Sequence, residues 1–324
     1  MRHWIEAARV RTLPLSVSGI IVGSMYALAY PTDNVLTPTE VFNWQLFGFA
    51  ILTTLGLQIL SNFANDYGDG IKGTDNEDRV GPKRAIQSGV ISPEAMKRAM
   101  IITSVLTFIS AVLLIYFAFG QDYILYSVIF LILGILAIIS AIRYTVGNTA
   151  YGYSGYGDVF VFIFFGLVST LGVNFLYSKQ VDWELCLPAI AIGFLSVGVL
   201  NLNNMRDEES DRKSGKNTIV VKVGGAVAKK YHFFLVISAM LLVLAFAIYV
   251  DFVKDIEPEK LNFDTYFFLV IYFPLTSHLI RVYKNKNPIL LDPELKKLAI
   301  CTFLLSILLS LSLIYLLSDL VVNS

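Results

Sequence analysis

The sequence predicts an all-α integral membrane fold of nine transmembrane helices. First, 56% of the 324 residues are hydrophobic and only 15% are charged, against about a quarter charged in an ordinary soluble domain. Second, the charges are clumped, leaving apolar runs of about twenty residues. Each can cross a hydrocarbon core of about 30 Å as a helix, the form lipid demands because it offers backbone N–H and C=O groups no partner. Third, lysine and arginine crowd alternate loops.

The spans read as 13–30, 44–61, 99–119, 122–142, 157–177, 185–203, 232–250, 265–281 and 297–318. The first follows Arg2, Arg9 and Arg11 and closes near Ala27-Leu28-Ala29, which imitates a secretory leader. The run is long for a leader core and further spans follow, so it reads as span one. Span two ends before Asn62 and span four before Arg143. Spans six and seven flank a long polar loop, about 204–231, and spans two and three flank another, about 62–98.

Cytoplasmic loops of membrane proteins carry an excess of Lys and Arg. With the N-terminus cytoplasmic, all of the 25 Lys and Arg fall on that side except Lys179, Lys254 and Lys260. Nine spans put the C-terminus on the opposite side. One span more or fewer would scramble the partition. The net charge of zero gives no argument for nucleic acid, and nothing marks an obligate protein partner.

The two long loops carry the chemistry. One opens with Asn62, Asn65, Asp66 and Asp69, the other with Asn203, Asn204, Arg206, Asp207 and Asp211. Asn62 and Asp66 are four apart, as are Asn203 and Asp207, and Asp207 and Asp211. Asp69 lies three beyond Asp66. On a helix these spacings share one face, so each motif is a stripe of oxygen ligands at a cytoplasmic helix end. The recurrence suggests two related halves, roughly 44–177 and 185–318, within a single domain spanning 1–324. Facing stripes would repel each other without cations. Mg2+, which prefers oxygen ligands and shares them with phosphates, is the fitting cation, with a diphosphate as the third party.

Basic side chains surround the stripes: Lys83, Arg84, Arg143, Arg206 and Lys216. Arginine grips phosphate in a fork and lysine as a point charge. Each is also open to reading as a positive-inside charge, and Arg206 and Lys216, embedded in the second motif, are the stronger candidates. Tyr67, Tyr144, Tyr151 and Tyr153 read either as ring faces for a cation or as an interfacial belt. Asp158, opening span five, reads as orienting a substrate or pairing with a base. Glu208 and Glu209 read as a solvated face. Cys186 and Cys301 read as small core residues, and His3, His232 and His278 are scattered without ligand spacing.

The chain resembles the UbiA-type family of membrane prenyltransferases. The resemblance rests on Asn62 to Pro82, Gly152 to Gly166 and Asn203 to Gly224, with the opening Trp4 to Arg9 and Thr12-Leu13-Pro14. Nearly the whole chain is covered. It implies a ring of nine helices around a central cavity, capped by the cytoplasmic loops, in the plasma (inner) membrane. It implies metal ligands at Asn62, Asp66, Asp69, Asn203, Asp207 and Asp211, four of these acids being catalytic. It places substrate contacts at Asn65, Arg84, Arg143, Tyr144, Tyr153, Asp158, Arg206 and Lys216. Where some relatives carry a third Asp, this sequence has Gly73, and Asp75 is the nearest substitute. The words around the motifs are most similar to the branch of menaquinone biosynthesis. That implies Mg2+-dependent transfer of an all-trans polyprenyl group from polyprenyl diphosphate to 1,4-dihydroxy-2-naphthoate, with loss of CO2 and pyrophosphate. Other acceptors, such as 4-hydroxybenzoate, are open to the same chemistry. An ion-coupled transporter fits less well, because transporter sites lie near the bilayer midplane and these acids gather at one face.

Overall fold

In the computed structural model, residues 2–30, 42–74, 81, 83–254 and 263–323 are described; Asp75 lies outside them. They form helices and turns with no strand. Among them, nine helices are long and apolar enough to cross a membrane. A short helix, Arg2–Ala8, precedes span one, Leu13–Ala29. Span two is Trp44–Lys72, span three Pro93–Phe119 and span four Ile124–Arg143. Span five runs through Gly157–Val161, Phe162–Gly172 and Val173–Ser178, its middle stretch wound as a π-helix. Span six is Cys186–Arg206 and span seven Gly225–Tyr249. Span eight passes from a 3-10 stretch, Phe263–Ile271, into Tyr272–Lys284, and span nine is Leu291–Asn323.

Several helices outrun their apolar stretches. Span two has 29 residues, about 43 Å at 1.5 Å each, longer than the hydrocarbon core. It therefore carries Asn62, Asp66 and Asp69 in its own last turns, not in a loop. Asn43 starts it by accepting the Leu46 N–H at 2.9 Å. Gly73 stops it at φ 69, its N–H turned back to the Asp69 and Gly70 carbonyls. An aspartate at position 73 would have to adopt that left-handed backbone, which accounts for the glycine. Span three starts six residues earlier than its apolar run, because Ser92 caps it, accepting the Ala95 N–H at 3.2 Å, and Pro93 fits its first turn. Span six breaks at Asp207, where φ −98 and ψ 8 leave the helix, and Glu208–Lys213 resumes it as a short helix.

Span six is the most enclosed, 72% of its apolar window being buried, and span four the least at 0%. Span six packs against spans five, seven and nine; span one lies between spans five and nine; spans two and three run together. The largest buried cluster joins Tyr26, Leu195, Leu202, Phe246, Leu275 and Leu298 across spans one and six to nine.

Spans five and six meet backbone to backbone. A Cβ on Gly166 would stand 2.6 Å from the Ala189 carbonyl oxygen and 2.8 Å from the Gly193 Cα, and one on Gly193 would strike the Phe162 ring. Backbone cannot rotate away as a side chain can. The Gly166→Val substitution is therefore expected to destabilise the protein by roughly 1–3 kcal/mol, the usual cost of overpacking, read as a lower unfolding temperature in detergent.

Candidate active site

A cavity of about 620 Å³ lies among spans one to six and touches span nine through Leu295. Its two ends differ in chemistry. One is polar, walled by Arg9, Asn62, Asp69, Arg84, Asp207 and Lys216. The rest is apolar, with Leu57, Ile115, Phe130, Phe164, Val168 and Leu176 on its wall. The polar end is where the two acidic motifs meet. The Lys216 ammonium sits 3.3 Å from Asp69 Oδ2 and 3.9 Å from Asp211 Oδ1, so one cation bridges span two and the segment after span six. The Tyr153 hydroxyl donates to Asp69 Oδ1 at 2.6 Å, and its ring lies under two ammonium groups, Lys72 at 4.1 Å and Lys216 at 5.0 Å.

Arg206 organises the second motif. It grips Asp207 as a fork, Nε to Oδ1 at 2.9 Å and Nη2 to Oδ2 at 2.7 Å. Nη2 also donates to Asn203 Oδ1 at 2.9 Å, and Nη1 donates to Asp292 Oδ1 at 2.5 Å. Asp292 Oδ2 in turn faces Arg11 Nη1 at 3.4 Å. Asp66 is occupied otherwise. Its two oxygens accept the Ala85 and Ile86 N–H groups at 3.1 and 3.3 Å, tying the loop after span two back onto that helix.

The expected site residues thus sort by position. Asn62, Asn65, Asp69, Arg84, Tyr144, Asn203, Asp207 and Lys216 line the cavity. Asp66, Asp211, Tyr153 and Arg206 stand behind that wall and hold its members or its loops. Arg206 was expected at substrate; four of its N–H groups are already committed to carboxylates and an amide, and its side chain is 2% exposed. Asp158 is buried at the start of span five beside the Tyr231 hydroxyl, away from the cavity wall. Arg143 is exposed at the C-terminal end of span four and does not line the cavity; a cation there suits the helix dipole. Tyr144 stands edge-on to Tyr151, with ring centroids 5.3 Å apart. Burial, reinforced by the nearby Asp158 charge, pushes the Tyr144 phenol well above its ordinary range, so it stays a neutral donor.

The sequence reading missed Asp292 and the role of Arg9, which lines the polar end with a left-handed backbone at φ 51. It also missed a buried polar chain. His232 and His278 read as scattered, yet their Nε2 atoms lie 2.8 Å apart, and His278 Nδ1 is 2.7 Å from Glu294 Oε2. No spacing signals this, because spans seven, eight and nine contribute one residue each.

Comparison with known proteins fits this geometry. The model of the UbiA prenyltransferase family matches residues 24–253. A 1,4-dihydroxy-2-naphthoate octaprenyltransferase from Haemophilus influenzae is 40% identical over 314 residues, 97% of this chain and 96% of its own.

The chain belongs to the UbiA prenyltransferase family.

An Escherichia coli protein of the same name is 45% identical over 76% of both chains. Among solved structures, a UbiA homolog from Archaeoglobus fulgidus bound to GPP and Mg2+ superposes with a TM-score of 0.64 at 14% identity, covering 98% of this chain and 99% of that one. One from Aeropyrum pernix, without ligand, also gives 0.64 at 16% identity, over 95% and 98%. The fold is thus the UbiA fold, and the apolar helices together with the family fit an integral membrane prenyltransferase.

Replacing His278 by Phe strands the Glu294 oxygen and the His232 N–H it now satisfies. At about 1–3 kcal/mol for each stranded polar group, the variant is expected to unfold several degrees lower in detergent.

Proposed function

We propose that this protein transfers an all-trans polyprenyl group from polyprenyl diphosphate to 1,4-dihydroxy-2-naphthoate, releasing CO2 and pyrophosphate and giving demethylmenaquinone in its quinol form. One observation carries the reaction class: a cavity charged and oxygen-rich at one end and apolar along the rest, as a lipid diphosphate requires. The naphthoate acceptor is supported by relatives of that name matching most of the chain.

The donor set fits Mg2+. Asp69 and Asn62 from span two and Asp207 and Asn203 from the end of span six offer hard oxygens at the polar end of the cavity, and the Lys216 ammonium stands between two carboxylates where a cation belongs. Among the described residues, no three His, Cys, Asp or Glu side chains stand close enough together to hold a metal ion. Mg2+ takes one or two carboxylates and completes its shell with water and substrate phosphate. Bound there, Mg2+ would neutralise the diphosphate and favour its departure.

The chain's own residues do the rest. Lys216, Arg84 and Arg9 supply positive charge at the polar end, where negative charge grows on the leaving oxygen. The carbon–oxygen bond breaks with its electron pair going to pyrophosphate, leaving an allylic cation. The electron-rich carbon that bears the acceptor's carboxylate attacks it. The carboxylate's carbon–carbon bond then returns its pair to the ring as CO2 leaves. Apolar walls exclude the water that would trap the cation as an alcohol. The neutral Tyr144 phenol is a hydrogen-bond donor beside this path. A cavity of about 620 Å³ is of drug-ligand size, far short of a long polyprenyl chain, so the tail extends into lipid.

The distribution of Lys and Arg supports a cytoplasmic N-terminus, an opposite C-terminus and a site at the cytoplasmic face of the inner membrane. The test is prenyl transfer in detergent from one labelled polyprenyl diphosphate to a panel of acceptors, with and without Mg2+. Transfer to 1,4-dihydroxy-2-naphthoate that stops on chelation is expected; inactivity with that acceptor refutes the reading. The Asp69→Asn variant is expected to lower turnover roughly 10^2-fold, the scale for losing one preorganised charge-stabilising group; a rate near that of the unmodified protein removes Asp69 from the mechanism.

A further inference from the structure

Asp207 lines the cavity, yet both of its oxygens are taken by the Arg206 fork, at 2.9 and 2.7 Å. A divalent cation that draws Asp207 toward it competes with that fork for the carboxylate's charge and orientation. Arg206 cannot then turn to water. Its side chain is 2% exposed, and the Gly81 backbone lies so close that a Cβ there would stand 2.7 Å from Nη2. A buried guanidinium that loses its carboxylate needs another, because an unpaired buried charge is strongly unfavourable. One is already in place: Asp292, in the first turn of span nine, takes Arg206 Nη1 at 2.5 Å. Asp292 is itself held from its other side by Arg11 at 3.4 Å.

We propose that Asp292 is a positioning residue that retains Arg206 when Asp207 turns to the Mg2+ accompanying the diphosphate. The inference rests on the function proposed above. Four groups of alternating sign, Asp207, Arg206, Asp292 and Arg11, form a line leading from the cavity wall toward the surface. Removing Asp292 does two things of the same sign. It leaves Arg206 with Asp207 as its one carboxylate, tightening the fork that competes with the cation. It also adds a net positive charge beside the place a dication must enter. Both weaken cation binding. A carboxylate that merely tied span nine to span six would lower stability without changing the metal requirement.

The test uses the full chain in detergent and two readouts: the Mg2+ dependence of prenyl transfer, and Mn2+ binding followed by electron paramagnetic resonance with pyrophosphate present. In Asp292→Asn, the apparent affinity for either cation is expected to fall about 10- to 100-fold, the usual effect of losing a group that orients a ligand. Turnover at saturating Mg2+ is expected to be largely retained, and Asp292→Glu restores the affinity. A folded Asp292→Asn variant that binds Mn2+ as the unmodified protein does overturns the proposal. So does one whose turnover falls with an unchanged metal requirement. If the single variant does not fold, the pair Arg206→Gln with Asp292→Asn carries the test. It removes one positive and one negative charge together and leaves Asp207 no competitor for the cation, so Mn2+ binding near that of the unmodified protein is expected, and binding tenfold weaker overturns the idea. An unmodified protein whose transfer ignores Mg2+ refutes the functional reading itself. A Mg2+-dependent one beside an unshifted Asp292→Asn refutes only the role of Asp292.

Discussion

Carboxylates gathered beside an apolar cavity repel one another, and the structure around them is arranged to offset that repulsion. Lys216 lies between Asp69 and Asp211, and Arg206 lies between Asp207 and Asp292. With a local dielectric well below that of water, such pairs interact strongly and their unpaired members are costly. The two internal cations therefore do more than balance charge. Lys216 ties the end of span two to the segment after span six, and Arg206 ties the end of span six to the start of span nine.

That arrangement explains which residues face the cavity and which do not. Asp69 and Asp207 are reached from the cavity side, each with a cation behind or beside it. Asp66 spends its two oxygens on the Ala85 and Ile86 amides, so one acid of the first motif fixes the loop that brings Arg84 to the wall. Tyr153 works likewise: its hydroxyl holds Asp69 while its ring supports Lys72 and Lys216. A motif that reads as a uniform stripe of ligands divides into groups that face a substrate and groups that hold those in place.

Much of this was legible in the sequence, and the limits are physical. Apolar runs gave nine spans in the right order because lipid-facing helices must be apolar. The ends of spans two and three were not legible, since hydropathy stops at Asn62 or at the first charges after Ser92 while the hydrogen-bonded helix does not. The paired motifs announced themselves through spacing within one helix. Asp292 did not, because its partner Arg206 is 86 residues away and a lone acid in a positive loop looks like a solvated charge. Lys216, embedded in the second motif, was the stronger candidate than Arg143, and it lines the cavity while Arg143 does not. The π-helical stretch of span five, with Gly166 seated on Ala189 and Gly193, left no mark beyond a glycine in an apolar run.

The chain from His232 through His278 to Glu294 has a direction. Glu294 accepts the Nδ1–H of His278, whose bare Nε2 then accepts the Nε2–H of His232. That order permits one tautomer of each ring, and a one-turn slip of any of spans seven, eight or nine breaks at least one of its two contacts. The three helices are thus locked in register like a keyed joint, two residues from Asp292. Asp292, which holds the outer side of Arg206, rises from a helix keyed to two neighbours, which favours movement on the cavity side when a ligand enters.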